Sequence, residues 1–119
     1  HKSECEAILK VFYTGMETLK KLTQDDAYAF EAYILALKAR KAKGDVQAVR
    51  NAAKHSALIP LDICRQCLVL LREAVKLAVF VNKTAITDCG VCALLLHAAL
   101  KSVMLPVDIN LPVIEDSNF

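Results

Sequence analysis

Apolar residues recur along most of this chain at spacings of three and four. Between 3 and 22 they are Ile8, Leu9, Phe12, Met16 and Leu19, with Glu4, Glu6, Lys10, Lys20 and Lys21 on the other side, which predicts an amphipathic helix that Gly15 weakens slightly. Thr23-Gln24-Asp25-Asp26 has the residue types that cap a new helix, and Ala27, Phe30, Ile34 and Leu37 then continue a stripe to about Arg40. One helix with a bend is the alternative. Ala42-Lys43-Gly44-Asp45 is the clearest break, with Gly44 suited to a left-handed backbone and Asp45 to an N-cap.

Val46 to about Val81 is helical in pattern. Pro60 lies inside it, lacks a backbone donor and crowds the preceding turn, so a kink or short interruption is expected there. Asn82 to Thr87 reads as a loop, Thr87 as the cap of a helix from Asp88 to about Leu105, and Pro106 as its stop. Residues 106–119, with a second proline at 112, read as an extended or turn segment. No alternating strand pattern stands out. The expected fold is all-α, a helical bundle of four to five helices in a single domain over 1–119.

Composition changes this picture in one respect. A chain of 119 residues makes one domain at most, yet it is 55% hydrophobic with a mean hydropathy of +0.36. That excludes disorder and leaves more apolar surface than so short a chain easily buries alone, so an oligomer or a partner segment is expected. Lys76, Lys83, Asp88 and Lys101 interrupt the richest apolar regions, and no stretch of roughly 20 uncharged residues remains to span a membrane. A net charge of +2 is too small to argue for nucleic acid. Six of the fifteen basic residues nevertheless crowd into 38–54, among them Lys38, Lys41 and Lys43, as a solvated turn or an anion-binding rim.

The candidate chemistry begins with cysteines. Cys64 and Cys67, then Cys89 and Cys92, form two C-x2-C pairs whose spacing is compatible with zinc, but residues three apart on a helix share a flank and these sit among leucines, valines and alanines. Packing is the reading adopted, with no metal expected. Five cysteines, an odd number, without a secretory leader pattern suit reduced thiols and a cytoplasmic location. Asp25 and Asp26 are adjacent and diverge by about 100° on a helix, so they cannot work as a facing pair. His97, within "LLLHAAL", is a core or interface histidine or a general acid or base, and His55 reads as exposed.

Three segments, "LTQDDAYAFEAYILALK", "AAKHSALIPLDICRQCLVLL" and "TAITDCGVCALLLHAALKSVMLPVDINLPVIEDSNF", resemble in order and spacing the formimidoyltetrahydrofolate cyclodeaminase / methenyltetrahydrofolate cyclohydrolase family. The resemblance covers nearly the whole chain. It rests on Asp26 with Ala29-Phe30, on Ile59-Pro60-Leu61, on Asp88 before Gly90-Val91, and on Ile109-Asn110-Leu111-Pro112 followed by Ile114, Asp116 and Phe119. It implies a helical domain that dimerises and acts on a one-carbon unit carried by tetrahydrofolate. Asp26 then matches the acidic position that accepts a proton, and Asp88 and Asn110 match polar positions lining the folate pocket. His97 stands where glutamate is common, and takes a catalytic role by substituting for that acid. Gln24, Arg65 and Pro106 depart from the pattern. Relatives also open with a Gly-rich loop and close with a further helix, so the resemblance implies that 1–119 is an incomplete domain. Lys41 and Lys43 are expected to attract the anionic tail of the folate. The rival expectations are a non-catalytic helical oligomerisation module and a zinc-stapled helical protein.

Overall fold

Three long helices carry the chain, the first and third longer than periodicity alone suggests. The computed structural model describes residues 1–119, the side chain of Lys43 excepted. Helix α1 spans Lys2–Lys43, α2 Val46–Ala78 and α3 Lys83–Ile114. The reversal between α1 and α2 is built as the sequence reads: Gly44 takes φ 71° and donates its N–H to the Arg40 carbonyl, while the Asp45 carboxylate accepts from the Ala48 N–H. α2 packs against both α1 and α3 and is the central helix of the all-α fold.

The expected four to five helices are therefore three, for local reasons. The cap-type residues at 23–25 do not open a second helix because their side chains find partners one turn away. Thr23 donates to the Leu19 carbonyl at 2.8 Å, Lys21 pairs with Asp25 at 2.6 Å, and Gln24 donates to the Tyr28 hydroxyl. Thr87 likewise spends its hydroxyl on the Thr84 carbonyl, and the cap of α3 is Asn82, which accepts from the Ala85 N–H at 2.9 Å. The loop expected at 82–87 is thus mostly helix. Nor does α2 break at Pro60, and α3 runs through Pro106 and Pro112 to Ile114. Each proline removes one donor, but packing along α2 supplies what the missing bond does not. α3 ends where Glu115 adopts a left-handed backbone, φ 50°, and Asp116 to Phe119 close a turn.

The result is a rod of 61 × 22 × 21 Å with a radius of gyration of 18.4 Å, against about 14 Å for a rounded domain of this length. A rod buries little. Tyr33, Val49, Ala53, Ala57 and Ile114 form the core cluster at one end, which brings all three helices together. Ion pairs from Arg50 to Glu115 and from Lys54 to Asp116 cover it. Gly15 is buried where α1 crosses α2, and a Cβ there would come within 2.6 Å of Leu70 Cδ2, so this glycine sets a close helix approach rather than merely weakening α1.

Only Val107 and Ile114 of α3 are fully buried. Over its best eighteen-residue window α3 has a mean hydropathy of 1.8 with 6% of the window buried, so by length and composition it is long and apolar enough to cross a membrane. Its longest uncharged run, 89–100, still falls short of the uncharged span expected above, since that window includes charged side chains. Lys101 nonetheless sits near the helix midpoint, where a bilayer centre costs about 2.5–3.5 kcal/mol, and the adjacent α2 exposes Asp62, Arg65 and Arg72.

Candidate functional site

The two adjacent aspartates of α1 are sent to different sides. Asp25 joins Lys21, Tyr28, His55, Ile59 and Asp62 around a cleft of about 470 Å³ on the outer side of the α1–α2 seam. Its carboxylate is held by Lys21, as that of Asp62 is by Arg65 at 2.7 Å. Asp26 falls on the stripe of Ala29 and Tyr33, which leads into the core cluster containing Ile114 of α3. It is half-buried, and burial pushes its carboxyl pKa up; among the described residues no cation offsets that. Asp26 is therefore a carboxyl poised nearer neutrality than an ordinary aspartate, while Asp25 is a paired surface acid.

Around α3 the predicted residues separate. Asp88 and Asn110 lie within about 40° of one another around the axis but about 33 Å apart along it. His97 is turned about 180° from Asp88, and it is exposed. One chain therefore does not bring Asp88, His97 and Asn110 to one place. Cys64 meets the Leu100 carbonyl and Lys54 meets Asp116, which sets the α2 stretch opposite Asp26 beside the C-terminal half of α3. Asp26 and Asn110 thus share an end of the rod, and Asp88 lies toward the other. The Asn110 amide donates to the Pro106 carbonyl at 2.9 Å and leaves its oxygen for another partner.

Lys41 lines a shallow cavity of about 390 Å³ with Ile34, Leu37, Lys38 and Arg40 near the end of α1. Lys43, expected to serve the same rim, has its side chain outside the described residues. The cysteines occupy helix flanks: Cys67 is buried, the other four are half-buried, and burial pushes the Cys64, Cys67 and Cys92 thiols up, away from the thiolate that metal binding or redox chemistry needs. Among the described residues no group of three or more His, Cys, Asp or Glu side chains is gathered as a metal site. The sequence reading missed the outer cleft. Its signal was the 55, 59, 62 spacing, which puts His55, Ile59 and Asp62 on one face of α2.

A profile of the formiminotransferase-cyclodeaminase family matches residues 1–119. Methenyltetrahydrofolate cyclohydrolase of Methylorubrum extorquens is 33% identical over 129 residues, covering 98% of this chain and 60% of that protein. The chain thus spans about 60% of the length of this curated relative. No solved structure matches it significantly.

Proposed function

Because the chain belongs to the formiminotransferase-cyclodeaminase family, we propose that it carries out a one-carbon step on a tetrahydrofolate derivative, with Asp26 as the proton-transferring group. In the cyclohydrolase form, water adds to the methenyl carbon of 5,10-methenyl-tetrahydrofolate, loses a proton, and the C–N5 bond then breaks to leave the 10-formyl product. In the cyclodeaminase form, N10 attacks the formimidoyl carbon, the ring closes and ammonia leaves. Each needs one group that takes a proton from the attacking water or nitrogen and can return it to the departing nitrogen. A carboxyl raised toward neutrality by burial does both better than an ordinary one, and the half-buried, unpaired Asp26 is the observation that carries the reading. The cyclohydrolase form is preferred because the matching relative bears that name. Asn110, at the same end, orients the folate with its free amide oxygen. His97, on the opposite flank, has no place at this end.

The test is turnover of methenyl-tetrahydrofolate, followed by absorbance in the full-length chain. Asp26→Asn is expected to lose about 10²–10⁴-fold in kcat, the usual worth of a general acid or base. Asp25→Asn and His97→Ala are expected to stay within a few-fold. Equal loss in Asp25→Asn and Asp26→Asn would falsify the assignment of the proton to Asp26.

A second reading, a helical oligomerisation module without catalysis, has one observation in its favour: Gln24 and Arg65, which depart from the acidic pattern, are engaged by Tyr28 and Asp62. Absence of turnover with both folate substrates selects it.

A further inference from the structure

Three prolines lie inside helices here, and each leaves one carbonyl without its helical donor: Pro60 that of Ser56, Pro106 that of Ser102 and Pro112 that of Asp108. The three carbonyls are not equivalent. Ser102 and Asp108 are exposed and bulk water serves them, whereas Ser56 is a buried polar residue, 7% exposed. Among the described residues, side chains donate to the carbonyls of Thr14, Leu19, Thr84, Ala98, Leu100 and Pro106, and none to that of Ser56. Buried backbone acceptors are almost always paired, by an ordered water where no protein donor reaches them.

The Ser56 carbonyl lies level with Asp26. Gly15 lies against Gln66 and Leu70, and Tyr33 packs with Val49 and Ala53, so on these antiparallel helices Asp26 comes opposite about residue 58 of α2. The contacts of Cys64 with Leu100 and of Lys54 with Asp116 bring Asn110 of α3 to about the same level. A helical carbonyl points toward the residue four ahead, so the Ser56 oxygen points toward Pro60, along that level. The side agrees too. Asp26, Ser56 and Pro60 each follow by one residue a side chain of the outer cleft, namely Asp25, His55 and Ile59. One step of about 100° on each of two facing antiparallel helices turns all three away from that cleft, to the other side of the seam.

We infer that the Ser56 carbonyl, freed by Pro60, holds the attacking water for Asp26. The catalytic role rests on the cyclohydrolase reading above; the water site itself does not. One hydrogen of the water bonds to the Ser56 oxygen and the other to the Asp26 carboxylate, which leaves an oxygen lone pair for the methenyl carbon. As the O–C bond forms, Asp26 takes the proton and the C–N5 π electrons return to N5. Asp26 then gives that proton to N5 as the C–N5 bond breaks, and the remaining hydroxyl proton goes to solvent as the formyl C=O forms. Pro60 is the positioning residue, because any residue with an N–H would occupy the Ser56 oxygen.

Kinetics of the full-length chain with methenyl-tetrahydrofolate test this. Pro60→Ala supplies an N–H that closes on the Ser56 carbonyl, and is expected to keep or raise the melting temperature while kcat falls about 10- to 100-fold and KM stays within about three-fold. An α-hydroxypropionate unit in place of Pro60 offers no N–H and is expected to restore kcat to within about three-fold of wild type. Pro112→Ala, which closes the exposed Asp108 carbonyl instead, is expected to leave kcat unchanged. Because the two groups hold one water, Asp26→Asn with Pro60→Ala is expected to be no slower than Asp26→Asn alone. An undiminished kcat in Pro60→Ala, a loss that the α-hydroxypropionate chain shares, or losses that multiply in the double variant each overturn the inference. A crystal structure of the full-length chain separates it from the proposed function, and is expected to show a water about 2.8 Å from the Ser56 oxygen on the Asp26 side. Turnover without that water removes the inference and leaves the proposed function standing. That water in a chain with no turnover means the proposed function fails and the catalytic role falls with it, but the water site stands.

Discussion

At one end of the rod, Tyr33, Val49, Ala53, Ala57 and Ile114 close around one another under two ion pairs; along the middle of α3, Leu94, Leu95, Leu105 and Ile109 point outward. The side chains are chemically alike, and what differs is how many helices lie within reach. The closed end has three, and among the described residues no helix packs on the outer face of α3. Contacts within the chain stabilise the first, and few of them reach the second. The largest expected effect follows directly. Ile114→Ala, at a fully buried position, costs about 2–5 kcal/mol in urea unfolding, whereas Leu94→Ala in the dilute monomer stays within about 0.5 kcal/mol. Similar losses at both positions would break the comparison.

A smaller effect is expected at the α1–α2 crossing. Gly15→Ala gains helix propensity of up to about 1 kcal/mol but forces Leu70, itself buried, out of its place at about 1–3 kcal/mol, for a net loss near 1 kcal/mol. An increase in thermal stability would show that α2 yields there. Smaller still, and opposite in sign, are two carboxyl contributions. Asp26 has its folded pKa raised by burial, so the folded state binds its proton more tightly and this contribution falls as pH rises from the ordinary aspartate value through the raised one. Asp116 is lowered by the hydrogen bond from Lys54, so its contribution is present above the ordinary value and is lost as pH falls through the depressed one. Unfolding of Asp26→Asn and Asp116→Asn from pH 3 to 7 is expected to show stabilisation at neutral pH in the first and destabilisation in the second. The least effect belongs to the exposed cations: Lys38→Gln with Lys41→Gln is expected to raise KM for polyglutamylated folate a few-fold at low salt, and 0.5 M salt is expected to erase the difference. An unchanged KM at low salt takes these lysines out of substrate binding.

Helical character and the Gly44-Asp45 reversal were legible because they depend on neighbours in sequence. The number of helices was not. Thr23, Asp25 and Thr87 are cap-forming residues whose partners one turn away decided against capping, and Pro106 was overruled by packing along α2, which no local signal reports. Within the site, Asp26 was legible as a motif residue, and its burial came only from the fold. Asp88 matched a motif position and His97 stood where glutamate is common, yet neither says which flank or end of a 32-residue helix a residue occupies. His55 was read only as exposed and Asp62 went unnoticed, because the outer cleft needs two helices side by side.

The central position of α2 has a kinetic consequence. Since α1 packs on α2 and α2 on α3, the chain can assemble by closing one hairpin and then the next, with no distant segment to find. Such a rod is expected to fold fast.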